Sequence, residues 1–255
     1  MDSNSSKQAG AAAEPGRVHS RALRSFDKLR TALRSGSAAA EYGLSSAAAP
    51  ATLQPEKEIR LVSGAEPPVF FKVGAEERLD ITFVVLPGTS AEIPVTVDIT
   101  GPGAVVDLKG IYLSSGTDKV TFNITMNHLV GGCVSRQLFN GLAAGQANCS
   151  FFGKIIVAQD AQKTEAYQEN HNIVLSDDAR VNTKPQLEIY ADNVKCSHGA
   201  TVGKLNEDEQ FYMRSRGIPE DEAKVLQMIS FVAPILAGLE DEELTARIEN
   251  AIRSL

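Results

Sequence analysis

No stretch of this 255-residue chain comes near the roughly 18 consecutive apolar residues that a membrane-spanning helix needs, so none is expected. An apolar h-region is missing too. Met1 to Ser6 leads into a polar, Ala-rich stretch, and no secretory signal is expected. Cysteine is scarce. Cys133, Cys149 and Cys196 are an odd number, too few for a disulfide framework and consistent with a reducing compartment. None forms a C-x-x-C pair, which argues against structural zinc. Net positive charge is lacking: the formal value of −7 does not suit a general nucleic-acid binder.

What is present is an ordinary globular composition, 43% hydrophobic and 22% charged, enough for a sizeable core. Charge is unevenly spread. Residues 205–255 hold eleven acidic residues against five basic ones, and residues 1–50 hold seven basic against four acidic. Three sequence patterns divide the chain, with boundaries expected at 1–55, 56–203 and 204–255. The first stretch has twelve Ala and nine Ser within residues 1–50, and reads as a low-complexity segment without a core. Inside it, Arg17 to Arg34 places Ala22, Phe26, Leu29 and Leu33 at helical spacing. Such a basic amphipathic helix is either an organelle presequence or one marginal helix in a poorly ordered terminus. Asp2, Glu14 and Asp27 interrupt the basic run and favour the second reading.

From about Glu58 to Thr201 the period becomes two. Ile93, Val95, Val97 and Ile99 alternate with polar residues or proline, and Val120, Phe122, Ile124 and Met126 alternate with Thr and Asn. This alternation puts apolar side chains on one face of a strand. Shorter apolar runs follow at 151–157, 173–175 and 187–190. Between the runs lie turn pairs such as Pro87-Gly88, Gly101-Pro102, Gly131-Gly132 and Asp177-Asp178. The stretch is all-β; propensity alone separates neither sandwich from solenoid, and no clean internal repeat decides between them.

After Gly203 the period is helical. Asn206 is placed to cap a first helix, with Glu209 three residues on and Gly217 at its end. A second helix opens at Pro219, with an apolar face through Val225, Leu226, Ile229, Val232 and Leu236 and a kink or end at Pro234. A third, Glu240 to Ser254, carries Leu244, Ile248, Ala251 and Leu255 on one stripe.

Two segments carry a resemblance. Thr183-Lys184-Pro185-Gln186-Leu187-Glu188-Ile189-Tyr190-Ala191-Asp192 runs on to Val194-Lys195-Cys196-Ser197-His198-Gly199-Ala200-Thr201. It is followed by Phe211-Tyr212-Met213-Arg214-Ser215-Arg216-Gly217-Ile218. This long, ungapped pattern resembles the SufB/SufD family of iron–sulfur cluster assembly proteins, most closely its SufD branch. The match covers roughly Gln162 to Ala237. The resemblance implies a mainly β fold: a right-handed parallel β-helix core with a short C-terminal helical domain. It implies a scaffold rather than an enzyme, pairing with SufB, or with a second copy of itself, through the end of its β-helix. A SufC-type ABC ATPase would dock on the C-terminal helices, and a desulfurase system would deliver sulfur to the complex. The cofactor implied is a transient iron–sulfur cluster at the subunit interface, with ATP on the partner subunit only. This sequence indeed lacks a G-x-x-x-x-G-K-[ST] phosphate loop. Family complexes bind a flavin; the sequence is silent on it. Family members usually carry a substantial helical segment before the β-helix, so this chain is expected to be a short member.

The resemblance assigns roles to particular residues. Cys196 and His198 fall on the family's Cys-x-His pair near the interface, as cluster-assembly or metal ligands completed by a partner. At i and i+2 of a strand they project from the same face, and both suit iron or a soft transition metal. Cys196 is equally readable as a small buried hydrophobe. Phe211, Tyr212, Arg214 and Arg216 fall in the SufC-binding region, with core packing and helix capping as the plainer alternatives. His128 reads as a satisfied core histidine, His171 as surface or turn, and Cys133 and Cys149 as packing residues. A cytoplasmic location is expected, or an organellar one if Arg17–Arg34 is a presequence. A structural paralogue without iron contact is an alternative. A β-helix hydrolase is a further one, drawing on Asp177, Asp178 and Glu188.

Overall fold

The computed structural model describes residues 56–255; the basic segment Arg17–Arg34 lies outside them. Eleven strands come first: β1 (Glu56–Val62), β2 (Val69–Val73), β3 (Arg78–Val85), β4 (Ala91–Ile99), β5 (Val105–Ser114) and β6 (Lys119–His128). They continue with β7 (Val134–Ala143), β8 (Asn148–Val157), β9 (Glu165–Val174), β10 (Arg180–Ile189) and β11 (Lys195–Gly203). Odd strands make one sheet in the order β1-β3-β5-β7-β9-β11, and even strands a second in the order β10-β8-β6-β4-β2. Pairing is parallel in both, between strands about 27 to 32 residues apart over most of the stack. A chain that changes sheet at every strand and pairs only with the turn before and after it is a β-solenoid, here of about five turns. The parallel β-helix implied by the resemblance is therefore the fold.

The period-two residues explain why the solenoid closes. The alternating residues of β4 and β6 (Ile93, Val95, Val97, Ile99, Val120, Phe122, Ile124, Met126) all point inward and are buried. Four phenylalanines stack up the interior: Phe83 to Phe122 at 6.1 Å between centroids, Phe122 to Phe139 at 5.1 Å and Phe139 to Phe151 at 4.9 Å. Gly110 lies beside this column, where a Cβ would overlap the Phe139 ring. Outward-facing charges pair across neighbouring turns, as in Lys109–Asp80 at 2.8 Å and Arg78–Asp107 at 3.1 Å. At the corners the chain repeats itself. Gly88, Gly116 and Gly145 each take a positive φ at successive corners of one edge, about 29 residues apart. Gln146 N donates to Gly116 O at 2.7 Å, stacking one corner on the next.

Three helices follow: α1 (Glu207–Ser215), α2 (Glu220–Leu236) and α3 (Glu242–Arg253). Asn206 caps α1 as expected, its side chain accepting from the amides of Asp208 and Glu209. Pro219 precedes α2, whose acidic first turn (Glu220, Asp221, Glu222) complements the helix dipole. Pro234 lies two residues from the end of α2. The buried face of α2 is Ala223, Met228, Ile229, Val232, Ala233, Ile235 and Leu236, so Val225 and Leu226 sit at its margin. In α3 the buried stripe is Leu244, Ile248 and Ile252, with Ile252 in place of the expected Ala251 and Leu255.

α2 lies over β5 and β7, where Asn140 Nδ2 donates to Phe231 O at 2.7 Å. It lies on the outward face of the sheet that holds Ile111, Leu113 and Leu142, which are buried although they point away from the solenoid interior. Among the described residues no helix is long and apolar enough to cross a membrane.

Candidate functional site

β10 and β11 are the last strands of their sheets, so among the described residues the solenoid ends on a turn with nothing stacked upon it. The register fixes which side chains face that open end. Cys196 pairs with Ala166 and His198 with Gln168, and both partners are buried inward-facing residues. Cys196 and His198 therefore share the inward face of β11, as their spacing implies. His198 is exposed and Cys196 half-buried, because no further turn among the described residues covers them. Burial pushes the Cys196 thiol above its ordinary value, against a smaller opposing effect of the Ala166 backbone. A metal would have to displace that proton, since the thiolate is the ligand.

Around the pair the final turn presents apolar side chains that the solenoid itself leaves uncovered. Val181, Pro185 and Leu187 on the inward face of β10 are half-buried. At its end Ile189 and Tyr190 are exposed, as is Val202 on β11. Pro185 stands mid-strand in β10, which an edge strand tolerates. Below this rim the interior turns polar. Tyr112 hydroxyl donates to Asn172 Oδ1 and accepts from Asn170 Nδ2, and Asn172 Nδ2 donates to Asn170 Oδ1 at 2.8 Å. Burial pushes the Tyr112 phenol up, so it stays protonated and able to donate. Gln168, next on the same face of β9, donates to Gln137 Oε1 at 2.9 Å.

The second set of residues is on α1, a helix with no buried residue, and at its C-cap, Arg216. Phe211 and Tyr212 are 73% and 60% exposed, which removes the core-packing reading for both. The Arg216 guanidinium lies 5.2 Å from the Tyr212 ring centroid, and Arg214 reaches Glu220 at 3.5 Å. Phe211 and Arg214 line a cleft with Val174, Leu175, Leu205 and Met228, between the end of β9 and the helices. Large exposed aromatics stiffened by arginine are the residue types that anchor protein interfaces.

Other residues fall where the sequence put them. His128 is fully buried as a core histidine but only half satisfied: Nε2 lies 2.8 Å from Ser135 Oγ while Nδ1 has no partner among the described residues, and burial lowers its pKa to about 4. His171 lies on the outer face, 2.9 Å from Thr201 Oγ1. Cys133 and Cys149 are buried packing residues. Asp177 and Asp178 occupy an exposed corner and Glu188 pairs outward with Lys154 at 2.7 Å, so these carboxylates do not converge on a groove. Among the described residues no three His, Cys, Asp or Glu side chains come together to hold a metal. The polar interior of β9 was not legible in advance. Its signal was the alternation of Gln168, Asn170 and Asn172 with Glu169 and His171, which places amides where apolar residues belong.

The family model described as "SUF system FeS cluster assembly, SufBD core domain" matches residues 69–231, from the start of β2 into α2, and so takes in both sets of residues. The chain belongs to the SufB/SufD family. It is 36% identical to the iron–sulfur cluster assembly protein SufD of Escherichia coli over 60% of this chain and 36% of that one. An iron–sulfur cluster assembly SufBD family protein of Synechocystis is 44% identical over 51% of this chain and 28% of its own length. The chloroplastic protein ABCI7 of Arabidopsis thaliana is 30% identical over 73% of this chain and 39% of its own. The SufBD chain thus spans between 28% and 39% of the length of these relatives. The family is one described as belonging to the SUF system for iron–sulfur cluster assembly.

Proposed function

We propose that this SufBD chain is a non-catalytic scaffold subunit of a SufBCD-type complex. The open end of the solenoid pairs with SufB, or with a second copy of the chain. The observation that carries this reading is that Cys196 and His198 lie on the inward face of the last described turn, at the open end of the solenoid, inside an apolar rim and between strand edges that no described residue pairs. An unpaired edge with exposed apolar side chains is a surface that natural proteins cover. Two ligands do not hold a cluster, so a transient iron–sulfur cluster built there takes its remaining ligands from the partner. The exposed face of α1, with Phe211, Tyr212, Arg214 and Arg216, receives a SufC-type ATPase, which holds the nucleotide. Sulfur arrives from a desulfurase system through the complex. The reducing compartment indicated by three free cysteines is the cytoplasm or, as the chloroplastic relative suggests, an organelle.

The test is co-purification with the SufC and SufB of the same source. Truncation after Gly203 would strip α2 from Ile111, Leu113 and Leu142, so point variants on α1 are the cleaner tool. Phe211→Ala/Tyr212→Ala should lose SufC and keep SufB, while Val202→Lys on the rim should do the reverse. Retention of both partners by both variants would refute the docking assignment. His198→Ala separates a cluster-building subunit from a purely structural paralogue. Loss of the reconstituted cluster supports the former, and unchanged cluster formation the latter.

A further inference from the structure

β7, β9 and β11 lie side by side, and their register puts Gln137, Gln168 and His198 on one inward line. In a parallel stack such side chains sit about 4.8 Å apart, the spacing at which amides form ladders. One rung of the ladder is made, the bond from Gln168 Nε2 to Gln137 Oε1. Gln168 is 0% exposed, and its Oε1 has no partner. An orphaned buried acceptor is destabilising, so it requires an explanation. Gly153 leaves room for this amide, since a Cβ there would overlap Gln168 Cδ and Nε2; the side chain is seated rather than loose. The next residue on the ladder is His198, whose ring offers an N–H in every tautomer.

We propose that Gln168 is a positioning residue for His198. The register places the free Oε1 of Gln168 to accept one ring N–H when the His198 side chain turns toward it, a bond not made in this structure; that bond would fix the tautomer and leave the other nitrogen free at the mouth of the solenoid. Histidines that ligate metals almost always donate their second ring nitrogen in this way, and loss of such a partner typically costs 10–100-fold in metal affinity. The inference rests on the reading that His198 serves cluster assembly, but its test does not depend on assembly.

The full chain has four histidines, so nitrogen NMR of the imidazoles, assigned by single His→Gln substitutions, reads the His198 tautomer directly. Gln168→Met keeps the volume and removes the acceptor. The double variant Gln137→Met/Gln168→Met leaves no orphaned amide and serves if the single variant folds poorly. One dominant His198 tautomer is expected in the unaltered chain. In both variants it should relax toward the mixture seen for a free imidazole, with the His128 and His171 signals unmoved. The same tautomer ratio in the unaltered chain and in the folded double variant would overturn the assignment. If the tautomer responds but His198→Ala still builds clusters, the positioning holds and the assembly role fails. If His198→Ala abolishes clusters while the tautomer ignores Gln168, the reverse is true.

Discussion

Gly110→Ala tests whether the interior column of rings governs the stability of the solenoid. The added methyl would overlap Phe139 Cδ1 and Cε1. Phe139 has no room to yield, because it is held between Phe122 at 5.1 Å and Phe151 at 4.9 Å. Overpacking of a tight core costs about 1–3 kcal/mol. Disturbing an aromatic pair adds about 0.5–1.5 kcal/mol. Against this stands a gain of about 0.4–1 kcal/mol from the stiffer unfolded chain. The net expectation is a loss of about 2 kcal/mol, or roughly 4–8 °C in Tm for a domain of this size. Gly199→Ala is the matched control: a Cβ there meets nothing within 4 Å, and only the stabilising unfolded-state effect applies. Thermal and denaturant unfolding of both variants against the parent gives the answer. Equal midpoints for Gly110→Ala and Gly199→Ala would refute the idea that the ring column is rigid.

Three further outcomes are expected. His128 is buried with its pKa lowered to about 4, so between pH 6.5 and 4 the unfolded chain binds a proton that the folded one refuses. Stability should therefore fall with pH across that window, by about 3 kcal/mol at full extent, and His128→Gln should flatten the fall in denaturant midpoints measured at pH 7 and 4.5. Asn140→Ala removes the bond to Phe231 O that ties α2 to β7 and should cost about 1–2 kcal/mol, with α2 showing faster amide exchange than β6. Phe211→Ala and Tyr212→Ala should shift stability by no more than about 0.5 kcal/mol, since both side chains are mostly exposed; a larger loss in urea unfolding would place them in the core after all.

Much of the architecture was legible, and the gaps have physical causes. β4, β6 and β8 announced themselves because one face of each is buried and the other wet. β5 and β7 did not alternate near their ends, where Ile111-Tyr112-Leu113 and Leu142-Ala143-Ala144 are buried on both faces because α2 covers the outside. β9 was hidden for the opposite reason, its inward face being built from amides that satisfy one another and Tyr112. The repeat escaped notice because it resides in backbone conformation. Gly88, Gly116 and Gly145 repeat a positive φ, while the opposite corners achieve the same turn with Glu76, Gly103, Gly132 and Lys163. The facing of Cys196 and His198 followed from their spacing, but their exposure did not. It depends on β11 being the last strand, which only the topology reveals.

The way α2 grips the solenoid at β5 and β7, while Cys196 and His198 ride on β11, makes the separation between helix and histidine a whole number of turns. Two inter-strand steps, across β9, separate β7 from β11, about 10 Å at roughly 4.8 Å per step. A stack of this kind lengthens or shortens only by complete turns, because a partial insertion would break register on every strand beyond it. The fold is thus a ruler with fixed graduations. Adding one graduation between the anchorage and the tip would leave both surfaces intact yet carry the histidine about 4.8 Å farther from the helices that are proposed to answer to ATP.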